Sequence, residues 1–259
     1  MFRIVQISDT HLGACDPVGH AGWAAARAYI NGTAPALVVH TGDIVRDDPR
    51  SLDDRRHARA CLDQLARPWV AVPGNHDIGD GLPNCAGIDE ELRQAFRRHF
   101  VSDHWVRPLG NWLLLGVSDL VFDTGSTFEA EQWRWLETVL AGAAGRHVAL
   151  FLHKPPFVLA PDEGGSTSMS VSRNGARRLW ALVRAHGVRL IACGHRHEYR
   201  TLEADGTSIV WAPTTSGLLD ERTPPFPDVT PVSGLIEYRF EDGGFQHRLV
   251  PFGPSETAP

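Results

Sequence analysis

The chain has little with which to hold a polyanion, a membrane or a thiolate-bound metal. Its 259 residues carry a formal net charge of -6 and a pI near 6.1, with no dense run of Lys and Arg. That balance argues against a nucleic-acid polymer as partner. The apolar runs are far too short to span a bilayer, so no membrane association is expected. Cysteine is scarce. Cys15, Cys61, Cys85 and Cys193 are widely spaced and form no CxxC pair, which argues against a zinc ribbon and for free thiols. The start lacks a basic region, an apolar stretch and a small-residue cleavage site; it enters a strand pattern at once, Phe2-Arg3-Ile4-Val5-Gln6-Ile7. The expected compartment is therefore the cytoplasm. Repeats and low-complexity segments are absent too.

What is present is a regular alternation of strands and helices. The length fits one large domain or two small ones, and a hydrophobic fraction of 42% is ordinary for a globular core. No linker divides the chain, so residues 1–253 read as one unit, with 254–259 as a frayed tail. Short apolar strands are expected at 3–7, 37–40, 69–72, 113–117, 147–152, 189–192, 207–211, 235–240 and 245–250. The last two are joined by Glu241-Asp242-Gly243-Gly244, a hairpin turn. Helices are expected at 22–30, ended by Asn31-Gly32, and at 53–66, closed by Pro68. Three more follow: from the Asp89 cap to Phe100, from Ser126 (with Glu129 at capping-box spacing) to Leu140, and from Ser172 to His186. The order is β-α-β-α-β followed by a more antiparallel end, which argues for an α/β or α+β layered fold.

Five segments carry the chemistry: Asp9-Thr10-His11, Gly42-Asp43, Gly74-Asn75-His76-Asp77, His153, and Gly194-His195-Arg196-His197. Each sits just past an expected strand, where ligands of open α/β sheets bind. Carboxylate, amide and imidazole donors without thiolate favour Mn, Fe or Zn in an open site. A carboxylate that bridges two ions holds them roughly 3.5–4 Å apart, the spacing used for in-line phosphoryl chemistry. Any one of these pieces is common by chance; all five in order are not. Of the thirteen histidines, His20, His40, His57, His99, His104, His147, His186 and His247 fall outside the set and read as bystanders.

The set resembles the calcineurin-like metallophosphoesterase superfamily, in five motifs spread over nearly the whole chain. The compact size and the Asp-x-His start are most similar to bacterial class III cyclic-nucleotide phosphodiesterases. The resemblance implies a four-layer αββα sandwich, two facing mixed sheets flanked by helices, with the metals at one edge. It implies that Asp9, His11 and His197 hold one metal, that Asn75, His153 and His195 hold the other, and that Asp43 bridges them. His76 becomes the catalytic histidine, bound to a phosphate oxygen or protonating the leaving oxygen. Mn and/or Fe are the implied ions, with Zn as a further option. The implied reaction is in-line attack by a metal-activated hydroxide on a small phosphodiester, a 3',5'-cyclic nucleotide among the candidates.

One position departs from the pattern. Many relatives place an Asp three residues after the bridging Asp; this chain has Arg46, followed by Asp47 and Asp48. Either carboxylate is a candidate to support His76, and Arg46 is a candidate substrate contact, as a planar phosphate-binding donor. Asp80, Asn84, Asp162, Glu163 and Ser166 lie on segments expected to flank the site. Two alternatives stay open: a phosphomonoesterase of the same superfamily, and a non-catalytic metal-binding scaffold. The helix bearing Trp133 and Trp135 offers a homo-oligomer face, although at least one of the two is expected in the core.

Overall fold

The computed structural model describes residues 1–15, 19–80, 87–143, 145–163, 168–216, 229 and 232–252. The expected frayed tail at 254–259, together with Asn84, Cys85 and Ser166, lies outside the described residues.

Eleven strands form two mixed sheets among the described residues. The first is ordered β11 (Gly244–Pro251), β10 (Gly234–Glu241), β1 (Phe2–Ile7), β2 (Leu37–His40), β3 (Trp69–Ala71). The second is ordered β4 (Trp105–Leu109), β5 (Trp112–Gly116), β6 (His147–Phe151), β7 (Leu190–Cys193), β9 (Thr207–Trp211), β8 (Arg200–Ala204). Strands β1-β2-β3 and β5-β6-β7-β9 run parallel; antiparallel hairpins close both edges of the second sheet and one edge of the first, whose other edge is the parallel strand β3.

Alternation along each strand builds the layers. In β6, Ala149 and Phe151 join a cluster with Ile4, Val39, Val70, Ala192 and Tyr238, the core between the sheets. Val148 and Leu150 point the other way, into the cluster that contains helix residues. Helix α1 (His20–Thr33) buries Trp23, Ala26 and Ile30, and α5 (Thr127–Ala141) buries Trp133, Leu136 and Leu140, each at the three-four spacing of one helix face. The result is the expected pair of mixed sheets flanked by helices.

Buried polar pins fix one sheet against the other. Gln6 on β1 donates through Nε2 to Thr41 Oγ1 (2.9 Å) and to the Cys193 carbonyl of the opposite sheet (3.1 Å). The Tyr238 hydroxyl donates to Gln6 Oε1 at 2.8 Å, so every hydrogen-bonding atom of that amide has a partner. The indoles of Trp105 and Trp112 donate across the same gap, to the Ala71 and Glu241 carbonyls.

Several boundaries differ from the sequence reading. Helix α1 runs through Asn31-Gly32 and ends at Ala34, left-handed at φ 47, just before Pro35. Helix α2 (Leu52–Leu62) stops before Ala66, because Gln64 and Leu65 donate three residues back in a tightened turn. Strands β4 and β8 were not expected. β4 holds Pro108, tolerated because β4 is an edge strand. β8 is joined to β9 by Asp205-Gly206, both at positive φ, as a two-residue hairpin turn requires. The Asp89 and Ser126 caps form as expected. Ser172 makes no side-chain cap on α6 (Arg173–Ala185); Asp123 Oδ2 accepts from Asn174 and Gly175 instead.

Trp133 is buried, stacked on Phe122 with ring centroids 4.0 Å apart, and Trp135 is half-buried against His104. Cys15, Cys61 and Cys193 are free thiols. No helix among the described residues is long and apolar enough to cross a membrane.

Candidate metal centre

The loops that follow β1, β2, β3, β6 and β7 meet at one edge of the sandwich and bring all five sequence segments together. Three groups of side chains have ligand atoms within 4.8 Å of one another: Asp9, His11 and His197; His11, Asp43 and His76; Asp43, His153 and His195. Asn75 joins the last, its Oδ1 3.0 Å from His153 Nε2. Asp43, 2% exposed, is common to two of the groups and lies between the first and the third.

The backbone around these side chains is held in an uncommon conformation. Asp9, His11, Asp43, His195 and His197 all have positive φ, between 45° and 69°. Non-glycine residues rarely sit there, and such strain concentrates at functional sites. Gly74 leaves no room for a side chain: a Cβ there would sit 2.1 Å from Asp43 Oδ1.

Hydrogen bonds fix the histidine tautomers. Carbonyl oxygens only accept, so His11 Nδ1 donates to the Arg46 carbonyl (3.2 Å) and His153 Nδ1 to the Thr41 carbonyl (2.8 Å). His195 Nε2 donates to the Ser168 carbonyl at 2.9 Å. In the neutral rings of His11 and His195 the inward nitrogens are therefore lone pairs, and in His153 the inward nitrogen is Nε2. His153 Nε2 faces His195 Nδ1 at 3.2 Å and Asn75 Oδ1 at 3.0 Å, and His11 Nε2 faces His197 Nε2 at 3.1 Å. Asp9 Oδ1 is buried without a well-formed hydrogen bond among the described residues, 3.4 Å from His197 Nε2. Asp9 Oδ1, Asn75 Oδ1, His11 Nε2 and His195 Nδ1 turn acceptors into one buried site, which suits cations, and outward N–H groups tied to carbonyls are how metal-binding histidines are oriented. The donor set fits two ions.

The electrostatics agree. Burial pushes His11 down to about 4 and His195 well below its usual value, so both rings are neutral at neutral pH. Burial also works to lower His153, but Asp43, by charge and hydrogen bond, and then Asp9 carry it up to about 10.

Two further carboxylates to which the sequence reading gave no role brace the loops: Asp77, on the short helix α3 (Asn75–Ile78) within one of the five segments, and Asp119. Asp77 accepts from the amides of Ile44, Val45 and Gly74, which joins the Asp43 turn to the Asn75 turn. Asp119 accepts from the amides of His153 and Lys154. Lys154 is the one lysine of the chain, and its Nζ lies 2.7 Å from Asp80 in a buried pair. Asp80 thus binds a protein partner, and the Glu163 carboxylate caps its own loop at Leu159 and Ala160. Asp162 is exposed.

His76 sits beside Asp43, with Nε2 3.9 Å from Oδ2, and its side chain is 31% exposed. Its Nδ1 donates to the Arg46 carbonyl at 2.6 Å. Neither Asp47 nor Asp48 takes that part: Asp47 pairs with Arg46, and Asp48 accepts from the Arg50 amide. A backbone carbonyl does what the sequence reading sought in a carboxylate. His40, set aside as a bystander because it precedes a strand end, is 1% exposed and hydrogen-bonds Thr10 between the first two ligand turns.

The calcineurin-like phosphoesterase family matches residues 2–199. The 3',5'-cyclic adenosine monophosphate phosphodiesterase CpdA of Escherichia coli K12 is 29% identical, over 82% of this chain and 76% of its own length. The glycerophosphodiester phosphodiesterase GpdQ of Enterobacter lignolyticus is 28% identical, over 97% of this chain and 93% of its own. The serine/threonine-protein phosphatase CPPED1 of Homo sapiens is 26% identical, over 63% and 54%. In fold, a dimetal phosphatase of Danio rerio superposes with a TM-score of 0.68 at 14% identity, covering 96% of this chain and 95% of that one. A match that spans well over half of the residues, on a fold its solved neighbours share, assigns this chain to the calcineurin-like phosphoesterase family.

Proposed function

We propose that the chain is a two-metal phosphodiesterase that hydrolyses a small phosphodiester, with a 3',5'-cyclic nucleotide as the first candidate. The observation that carries this reading is the convergence of carboxylate, amide and imidazole side chains in neighbouring groups that share Asp43. Asp9, His11 and His197 would hold one ion, Asn75, His153 and His195 the other, and Asp43 would serve both. The imidazole and carboxylate donors suit Mn or Fe, with Zn as the alternative. Bound there, the ions supply a nucleophile at neutral pH and neutralise the phosphoryl oxygens.

The protein's own part falls to His76. Its Nδ1–H is committed to the Arg46 carbonyl, so Nε2 is the atom that faces the substrate; when the ring is the imidazolium, Nε2–H hydrogen-bonds a phosphoryl oxygen or passes its proton to the leaving oxygen, which leaves the neutral ring. The partly exposed ring is within reach of a substrate that enters from solvent. The diester reading is supported by CpdA and GpdQ, both phosphodiesterases aligned over most of this chain. CPPED1 keeps a phosphatase as the second reading.

The test is initial rates on a synthetic phosphodiester and its matching monoester after reconstitution with Mn. Diester turnover should dominate. His76→Ala should keep both ions while kcat falls by about 10²- to 10⁴-fold. A monoester preference moves the assignment to a phosphatase, and ion binding without turnover of either leaves a scaffold.

A further inference from the structure

His40 closes strand β2 behind Leu37, Val38 and Val39, a position its neighbours fill with aliphatic side chains. A fully buried imidazole is costly there unless both ring nitrogens find partners. Both do, and every donor and acceptor in the chain is determined. The Gly42 amide donates to His40 Nδ1 at 3.2 Å, which makes Nδ1 the acceptor. Nε2 therefore carries the hydrogen and donates to Thr10 Oγ1 at 2.9 Å. The Thr10 hydroxyl in turn donates to the Ile44 carbonyl at 3.2 Å. Burial pushes the His40 pKa down to about 3, consistent with a neutral ring.

The placement of this relay gives it a purpose. Thr10 lies between Asp9 and His11, at φ 53 and 45; Gly42 and Ile44 flank Asp43, at φ 54. Both turns are left-handed, and neither holds that shape by local preference. Backbone bonds from Asp9 to Gly42, His11 to Asp43 and Leu12 to Ile44 zip the turns together along one side. His40 and Thr10 supply the side-chain tie beneath them, between a strand end and two loops.

We propose that His40 and Thr10 act as positioning residues that hold the Asp9–His11 turn in register with Asp43, and so preorganise the Asp9–His11–His197 ion site. This rests on the two-metal reading above. Thr10→Val removes the hydroxyl with almost no change of shape, and Thr10→Ser keeps it. Mn binding to metal-stripped protein is followed calorimetrically, beside the melting temperature of the metal-free protein. Thr10→Val should bind one of the two ions about tenfold more weakly, in line with other partners that orient metal ligands. Thr10→Ser should restore wild-type affinity, and adding His40→Leu to Thr10→Val should cost little more binding. If Thr10→Val melts lower yet binds both ions as wild type does, the tie is merely structural and the inference is overturned. If the wild-type protein binds no Mn, the two-metal reading falls and the inference with it. Should Thr10→Val not fold, the ring-nitrogen NMR shifts of His40 in the wild type decide: an Nε2–H tautomer is required, and an Nδ1–H tautomer overturns the relay.

Discussion

At the scale of single residues, Arg46 shows how one position can hold two separable roles. Its carbonyl orients both His11 and His76, whereas its guanidinium stands beside Asp47. Arg46→Ala deletes the guanidinium and leaves the carbonyl in place. If the side chain binds substrate phosphate, this variant should raise KM about ten- to hundredfold, the loss of roughly one charge-assisted hydrogen bond, with His76 still held. Unchanged KM and kcat would assign Arg46 to the protein through its backbone alone. The contrast also marks what the sequence can say about such a site. The ligand types past strand ends were legible, because donor chemistry is written in the side chain. The carbonyls of Thr41, Arg46 and Ser168 that orient His153, His11, His76 and His195 were not, since every residue has one. His40 escaped notice for a related reason: a histidine inside a strand gives no local sign of the loops that fold over it.

Helix α4 (Glu90–His99) shows what an element needs to stay docked. Its Arg93, 3% exposed, lies 2.7 Å from Asp103 at the approach to β4, and packs over Phe128 of α5. Arg97 and His104 also bind Asp103. Burial raises the Asp103 pKa, but His104, Arg93 and Arg97 together hold it well below the usual carboxylate range. A depressed carboxylate contributes stability that is complete above its unfolded pKa and is lost as pH falls toward the folded one. Asp103→Asn should cost about 3 kcal/mol at neutral pH, because it leaves Arg93 buried without its full partner. In urea titrations the gap to wild type should hold from about pH 7 to about pH 5 and narrow below about pH 4. A gap that persists unchanged into strong acid would remove Asp103 as its source. At this scale the sequence reading was sound for the helices begun at Asp89, Ser126 and Ser172, although Ser172 makes no side-chain cap bond, and weaker for the ends of α1 and α2. Strand β8 was within reach, because Asp205-Gly206 is a strong hairpin signal; β4 was obscured by Pro108.

Across the whole molecule, the proposed ligands come from both sheets: Asp9, His11, Asp43 and Asn75 follow strands of one, and His153, His195 and His197 follow strands of the other. Ions bound between them tie the sheets together in the folded state only. At a free Mn concentration 100 times its dissociation constant, one such ion adds about 2.7 kcal/mol to stability. Chelation should therefore lower the melting temperature, and Mn should restore it in a concentration-dependent way. A melting temperature indifferent to both would count against a metal centre at this edge. The layered α/β plan was legible from the alternation of apolar strands and helices, whereas the division into two facing sheets came only from the family resemblance. The pin at Gln6 was not, since its partners Cys193 and Tyr238 are distant in sequence and meet only once the sandwich closes.

The strand order also has a consequence for how the protein is made. β1, which leads into Asp9, is bonded to β2 on one side and to β10, residues Gly234–Glu241, on the other. At ordinary translation speeds of about 5–20 residues per second, the ribosome needs roughly ten to forty-five seconds to go from one to the other. Throughout that interval the first sheet has an open edge along β1, of the kind that invites pairing with a neighbouring nascent chain. A chain released before β10 emerges keeps that edge for good, with Asp9 at the strand's tip.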